Sequence, residues 1–368
     1  FLSEDTRWGR VEADLLLVSG RWLDAADAYQ AQLDLVPERS ARADALLGLI
    51  EALCRLDRGR DAIPPAVEAV ELLGALGRES DAMLAGYWLA YATFLAGNAL
   101  EARSLLLALI GRSRSMSAGA SGDLRMRLLM ALGAVASDLE DHAAAVAYLE
   151  EARASASDLD DRRRASMLSL LATSLVGTGD MEGAIRAGLE SLALYRAVQA
   201  RSEAAILENN LAITYLRVGN LERASQYAAE ARLMHEADDD RRSLAHVLET
   251  EAQIALASGD VDGALRLAGE AMAHATATDD QRARSSSLLT VARAHAASGD
   301  TDAALDAYAR ATDALRQTGP LPRLQHALTD WADVLARLGR HREAFDLTRE
   351  ALGASSPAAD APTPSRTR

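Results

Sequence analysis

Seven histidines (His142, His235, His246, His274, His295, His326 and His341) and one cysteine, Cys54, are the side chains best suited to hold a metal or attack an electrophile. None of the histidines shows the His-Glu-x-x-His spacing that sets two imidazoles on one helix face, and one thiol cannot build a cysteine-based zinc site. All basic residues are Arg, so neither a phosphate-loop lysine nor a Schiff-base amine exists. No Gly-x-Ser-x-Gly elbow and no dinucleotide-binding glycine loop occurs. Carboxylates abound, but on regular helices they chiefly solubilise. These residues lead to the expectation of no catalytic residue, no metal and no cofactor. The chemistry left is hydrogen bonding and aromatic contact, which is the chemistry of binding.

Charge narrows the partners. The 39 Lys+Arg against 54 Asp+Glu give a net charge of −15, which repels phosphate backbones. Direct nucleic-acid contact by this segment is therefore not expected. No apolar run approaches the length of a membrane-spanning helix, so no membrane contact is expected either. A lone cysteine suits a reducing, cytoplasmic setting. The opening Phe1-Leu2-Ser3-Glu4-Asp5 is neither an initiator Met nor a signal peptide, and leads to the expectation of an effector domain upstream.

The elements that position these side chains follow from repetition. Gly179, Gly219, Gly259, Gly299 and Gly339 recur every 40 residues. Ala172, Ala212, Ala252, Ala292 and Ala332 precede them by seven, and Ala184, Ala224, Ala264, Ala304 and Ala344 follow by five. The first half repeats the pattern less strictly, around Gly20, Gly97 and Glu140. A further turn near Asp57-Arg58-Gly59 reads as two residues longer than the rest, making nine units in all. In each unit a glycine can close the first helix in the left-handed conformation. A following Asp or Asn, as in Gly179-Asp180 and Gly219-Asn220, can cap the second. A helix pair cannot bury its apolar face alone, so units must stack. Acidic-to-basic switches such as Asp238 to Arg242 read as helix starts rather than phosphate sites. The expected fold is all-α: an array over 5–352, followed by a disordered tail over 353–368, rich in Ala, Ser, Thr and Pro.

The pattern Ala-x6-Gly-[Asp/Asn]-x3-Ala-x6-Ala resembles the tetratricopeptide repeat, with Tyr29, Tyr308 and Trp22 at its bulky positions. Its period of 40 exceeds the usual length and is similar to that of sensor arrays in large bacterial regulators. The resemblance implies a right-handed α-α superhelix of about nine pairs, with first helices lining a concave groove for a peptide or protein. It also implies a role in signalling or transcription regulation.

Two sets of partner-binding candidates then stand out. Along the first helices, one column reads Thr173, Ile213, Gln253, Arg293, Asp333, and its neighbour Ser169, Asn209, Glu249, Leu289, Thr329. Asn209, Glu249, Gln253, Arg293 and Asp333 could bond a peptide. Tyr87, Tyr91 and Phe94 share a helix face by their spacing, and either anchor a partner or pack as core. A different class of function, structural self-assembly as a homo-oligomer, is an open alternative.

Overall fold

In the computed structural model, residues 4–35, 38–113, 118–154, 160–318 and 321–353 are described. Among them all the regular structure is helical, in eighteen helices. The pairs are α1 (Glu4–Val18) with α2 (Trp22–Leu35), α3 (Arg39–Arg55) with α4 (Gly59–Ala75), and α5 (Glu79–Leu95) with α6 (Ala99–Ser113). Next come α7 (Ala118–Asp138) with α8 (His142–Ala154), α9 (Asp161–Thr178) with α10 (Met181–Ala197), and α11 (Arg201–Arg217) with α12 (Leu221–Ala237). The last are α13 (Arg241–Ser258) with α14 (Val261–Ala277), α15 (Gln281–Ser298) with α16 (Thr301–Thr318), and α17 (Leu321–Arg337) with α18 (His341–Gly353). Only two or three residues join the members of a pair, which forces them antiparallel. The expected tail lies outside the described residues except for Gly353, which instead closes α18.

The turns show why the sequence repeats. Gly20, Gly97, Gly179, Gly219, Gly259, Gly299 and Gly339 all have positive φ, from 75° to 92°. In two units Asp57 and Glu140 take the same left-handed place, each at φ 58°. The turn before α4 is therefore three residues long, like others, and not the longer turn the sequence suggested. Gly59 is the first residue of α4 rather than part of that turn. Side-chain caps follow: Asp180 accepts from the Gly183 amide at 2.8 Å, and Asp260 from the Gly263 amide at 2.9 Å. Asp160, Asp240 and Asp280 cap α9, α13 and α15 in the same way, so the charge switches between units do start helices. The recurring alanines are buried, and their small size lets paired helices approach closely.

Two compact units make up the chain, residues 1–194 and 195–368, with the division falling inside α10. The first holds two large apolar clusters, around Ile50 and Leu128. The second holds smaller clusters, including one around Tyr308 and Leu328. Its α12 also buries His235, 3% exposed, where the two following units have Ala275 and Leu315. Burial holds this imidazole below the usual histidine range, against the pull of Asp240 and Asp238. A depressed folded value means that the unfolded chain takes the proton first as pH falls. Stability is accordingly lost as pH drops through the ordinary histidine range. Thermal melts of this protein between pH 8 and pH 5 are expected to show that loss, and His235→Leu to flatten it; identical slopes would refute the assignment.

Candidate binding face

The polar columns lie on α9, α11, α13, α15 and α17, and the structure sorts their members. Glu249 is buried, and its Oε1 accepts from Gln253 Nε2 one turn along and from Thr290 Oγ1 on α15 at 3.1 Å. Arg293 donates to Asp330 of α17, through Nε at 2.8 Å and Nη2 at 2.5 Å, rather than to Asp333. Asp333 is exposed, as is Thr173. Asn209 is buried, and its Oδ1 has no hydrogen-bond partner. So Glu249, Gln253 and Thr290 form one bonded cluster and Arg293 with Asp330 another, while Asn209 stands unsatisfied. Asp330 and Thr290 escaped the sequence reading. They sit 37 and 41 residues from their partners, just off the period of 40 used to draw the columns.

On α5, Tyr87, Tyr91 and Phe94 are half-buried, whereas Trp88 between them is buried. Tyr87 and Tyr91 stack at 6.3 Å between ring centroids, and Trp88 meets both edge-on. Tyr87 and Tyr91 pack on one apolar cluster, and Phe94, with Tyr87 again, on the next. Burial raises both tyrosines, with the Tyr87 phenol pushed up to about 12. The rings are thus partly core and partly accessible, and Leu89 beside them is half-buried too.

A cavity of about 600 Å³ opens in the second unit where α10 turns into α11. The end of α10, the start of α11 and the last turns of α12 line it, and none of the column residues does. At its floor Arg196 Nη2 donates to Glu208 Oε1 and Glu230 Oε2, each at 2.7 Å. Glu208 is 5% exposed, and its burial raises the carboxyl despite the guanidinium. Sequence reading passed over it because a carboxylate on a helix is ordinarily solvated.

The remaining reactive groups offer little. The buried Cys54 thiol is pushed up to about 12 by burial, which keeps it protonated and unreactive. Among the described residues no three His, Cys, Asp or Glu are grouped to hold a metal ion, and no helix is long and apolar enough to cross a membrane.

No protein-family model matches the sequence, and comparison with curated proteins finds no relative. Solved structures do match. A Rap protein complexed with Competence and Sporulation Factor is 16% identical, covers 96% of this chain and 98% of its own, and superposes with a TM-score of 0.69. The apo quorum sensor NprR from B. thuringiensis is 14% identical, with 96% and 99% covered and a TM-score of 0.66. A signal transduction ATPase from Pyrococcus horikoshii with a tetratricopeptide repeat sensor is 14% identical, with 90% of this chain and 52% of that one covered, at 0.52. At such identities the likeness shows the fold, a tetratricopeptide-like helical repeat.

Proposed function

We propose that this chain is a protein- or peptide-binding repeat scaffold, the sensor region of a cytoplasmic regulator in signalling or transcription, and not an enzyme. The observation that carries the reading is the contrast between positions. Packing residues recur every 40 residues, while Asn209, the Glu249–Gln253 cluster and the Arg293–Asp330 pair change chemistry from helix to helix at corresponding places. Packing alone requires no such variation. An extended ligand read in one register does. The structural neighbours support it, since one is a quorum sensor and another is seen with a bound factor. The half-exposed stack of Tyr87 and Tyr91, with Phe94, offers an aromatic anchor within the first unit.

The test uses Gln253→Ala and Arg293→Ala. A partner is first captured on the wild-type chain and identified, then titrated calorimetrically against both variants. Each substitution is expected to weaken binding about five- to tenfold, or roughly 1 kcal/mol. The midpoint of Arg293→Ala should barely move, since a partly exposed ion pair is worth about 0–1 kcal/mol. Gln253→Ala instead takes one of two hydrogen bonds from the buried Glu249 and should cost about 1 kcal/mol. Unaltered affinity in both variants would leave the columns as plain surface.

Self-assembly has one observation in its favour. Leu15 is 64% exposed on α1, although the same place, five before the turn glycine, is buried as Thr214, Ile254, Ala294 and Val334. Light scattering that shows concentration-dependent mass, abolished by Leu15→Glu, would support this second reading over the first.

A further inference from the structure

The repeat departs from itself most sharply in one unit, and the departures converge on one cavity. Eleven residues before the turn, the first helices carry Leu129, Leu168, Leu248, Leu288 and Leu328, every one of them buried. In α11 that core place is held by Glu208, also buried. Four residues earlier, α11 has Ala204 where α13 and α17 have Leu244 and Leu324. At its start it has Ala200 in place of the capping Asp160, Asp240 and Asp280, and no side chain caps it. Late in α12, Leu233 stands 68% exposed where other units have Ala193, Ala273 and Asp313. Glu208, Ala204, Ala200 and Leu233 all line the same cavity of about 600 Å³, together with Met234. Two small residues open the space, two apolar ones wall it, and a charge lies at the bottom.

A carboxylate in a leucine slot is costly. Desolvation outweighs much of what a single partner returns, and an apolar replacement is commonly neutral or stabilising. The internal partner here is modest. Arg196 reaches in from a side chain that is 54% exposed, and it divides one nitrogen between Glu208 and Glu230. Among the described residues, Glu208 is bonded through Oε1 alone, which leaves Oε2 for a ligand. Two carboxylates share that one guanidinium, so a second cation completes the neutralisation. Arg201, also on the lining, rests on the Met234 sulfur at 3.7 Å and is exposed at the rim, where water screens its charge.

We propose that this cavity is a binding site for a guanidinium or ammonium group carried on an aliphatic stem, with Glu208 as its counter-charge and Leu233 and Met234 holding the stem. Arg196 stays on Oε1 and Glu230 when the ligand enters. Such a group can come from a basic side chain of a bound peptide or from a free small amine. The site is separate from the polar columns. It rests on the binding-scaffold reading only in assuming that the protein takes up ligands.

The experiment titrates the whole 368-residue chain with agmatine, with the peptide acetyl-Ala-Ala-Arg-Ala-Ala-amide, and with the same peptide carrying citrulline, which keeps the shape and loses the charge. Saturable binding of a cationic probe, at least tenfold tighter than the citrulline peptide, is expected. Agmatine binding as well as the arginine peptide identifies a free amine as the source; a clear preference for the peptide identifies a side chain. The decisive variant is Glu208→Leu, which restores the residue of the neighbouring units and so should fold. It is expected to raise the melting midpoint by a few degrees, about what removal of a buried charge returns, while abolishing probe binding. Equal binding of arginine and citrulline peptides, no binding of any probe, or full binding to Glu208→Leu would each overturn the proposal. A chain that ignores these probes yet loses its partner on Gln253→Ala refutes the cavity site alone and leaves the scaffold reading standing.

Discussion

Gly59→Ala is expected to destabilise the first unit by about 2–3 kcal/mol, although a Gly-to-Ala change in a helix ordinarily gains up to about 1 kcal/mol. Gly59 opens α4 and lies buried against the end of α5. A methyl there would stand 2.6 Å from the Ala92 carbonyl oxygen and 2.6 Å from Leu95 Cβ. Both atoms belong to or adjoin the backbone of a neighbouring helix, so relief requires that α5 itself move. Gly177 supplies the control. A Cβ at that position would meet the His142 ring at 2.2 Å, but the half-buried ring can swing away. Gly177→Ala should therefore cost clearly less than Gly59→Ala. Near 2–4 °C per kcal/mol for a unit of this size, Gly59→Ala lowers the melting midpoint by about 5–10 °C. A neutral or stabilising result would mean that the α4–α5 approach is looser than the structure has it. Because repeat arrays are held by nearest neighbours, amide exchange should rise first in α4 and α5.

The two glycines also show what a single sequence reveals and what it hides. Each packs where the start of one second helix meets the end of the next first helix. One contact sets Gly59 against Leu95, and the other sets His142 against Gly177. Large meets small in both, in opposite order, so neither column repeats and no period exposes it. The turns were legible because a left-handed residue is needed at one place in every unit, and glycine meets that need most easily. Where Asp57 and Glu140 stand in for it the pattern blurs: the spacing still marks the turn at Glu140, but the turn at Asp57 reads as longer than it is. Binding candidates were legible only as columns. Their actual partners, Asp330 for Arg293 and Thr290 for Glu249, depend on how far a side chain reaches across to the next helix. That reach is a property of packing. Glu208 was visible in principle, since the four neighbouring units all carry Leu at its place and it alone is charged. Seeing it required asking which apolar column breaks, rather than which polar column varies.

Asn209→Leu is expected to stabilise the second unit by about 1–2 kcal/mol and to weaken partner binding by tenfold or more. The reason lies in what its repeat-mate has and it lacks. Glu249 occupies the same place 40 residues on and draws a hydrogen bond from Gln253 and another from Thr290. The residue corresponding to Gln253 is Ile213, which has nothing to donate, and Thr250, corresponding to Thr290, gives its hydroxyl to the His246 carbonyl instead. Asn209 Oδ1 is left buried without a partner. An unmet acceptor costs about 1–3 kcal/mol, and the slot tolerates an apolar side chain, since Leu289 fills the same place in α15 and is buried. Stability alone would therefore favour leucine at this point. An amide kept at such cost, on the first-helix face that carries the variable polar residues, is suited to turn its oxygen outward and meet a donor that arrives with a ligand, such as a peptide N–H. Ile213→Gln separates the two effects. It supplies the missing donor from within, so it should also stabilise, by about 1 kcal/mol, and should compete with the ligand for Asn209. Melting curves and calorimetric titration of both variants decide the matter. If Asn209→Leu lowers the midpoint, an ordered water already satisfies the oxygen. If both variants stabilise and bind as the wild type does, Asn209 is a packing residue and the ligand is read elsewhere on the face.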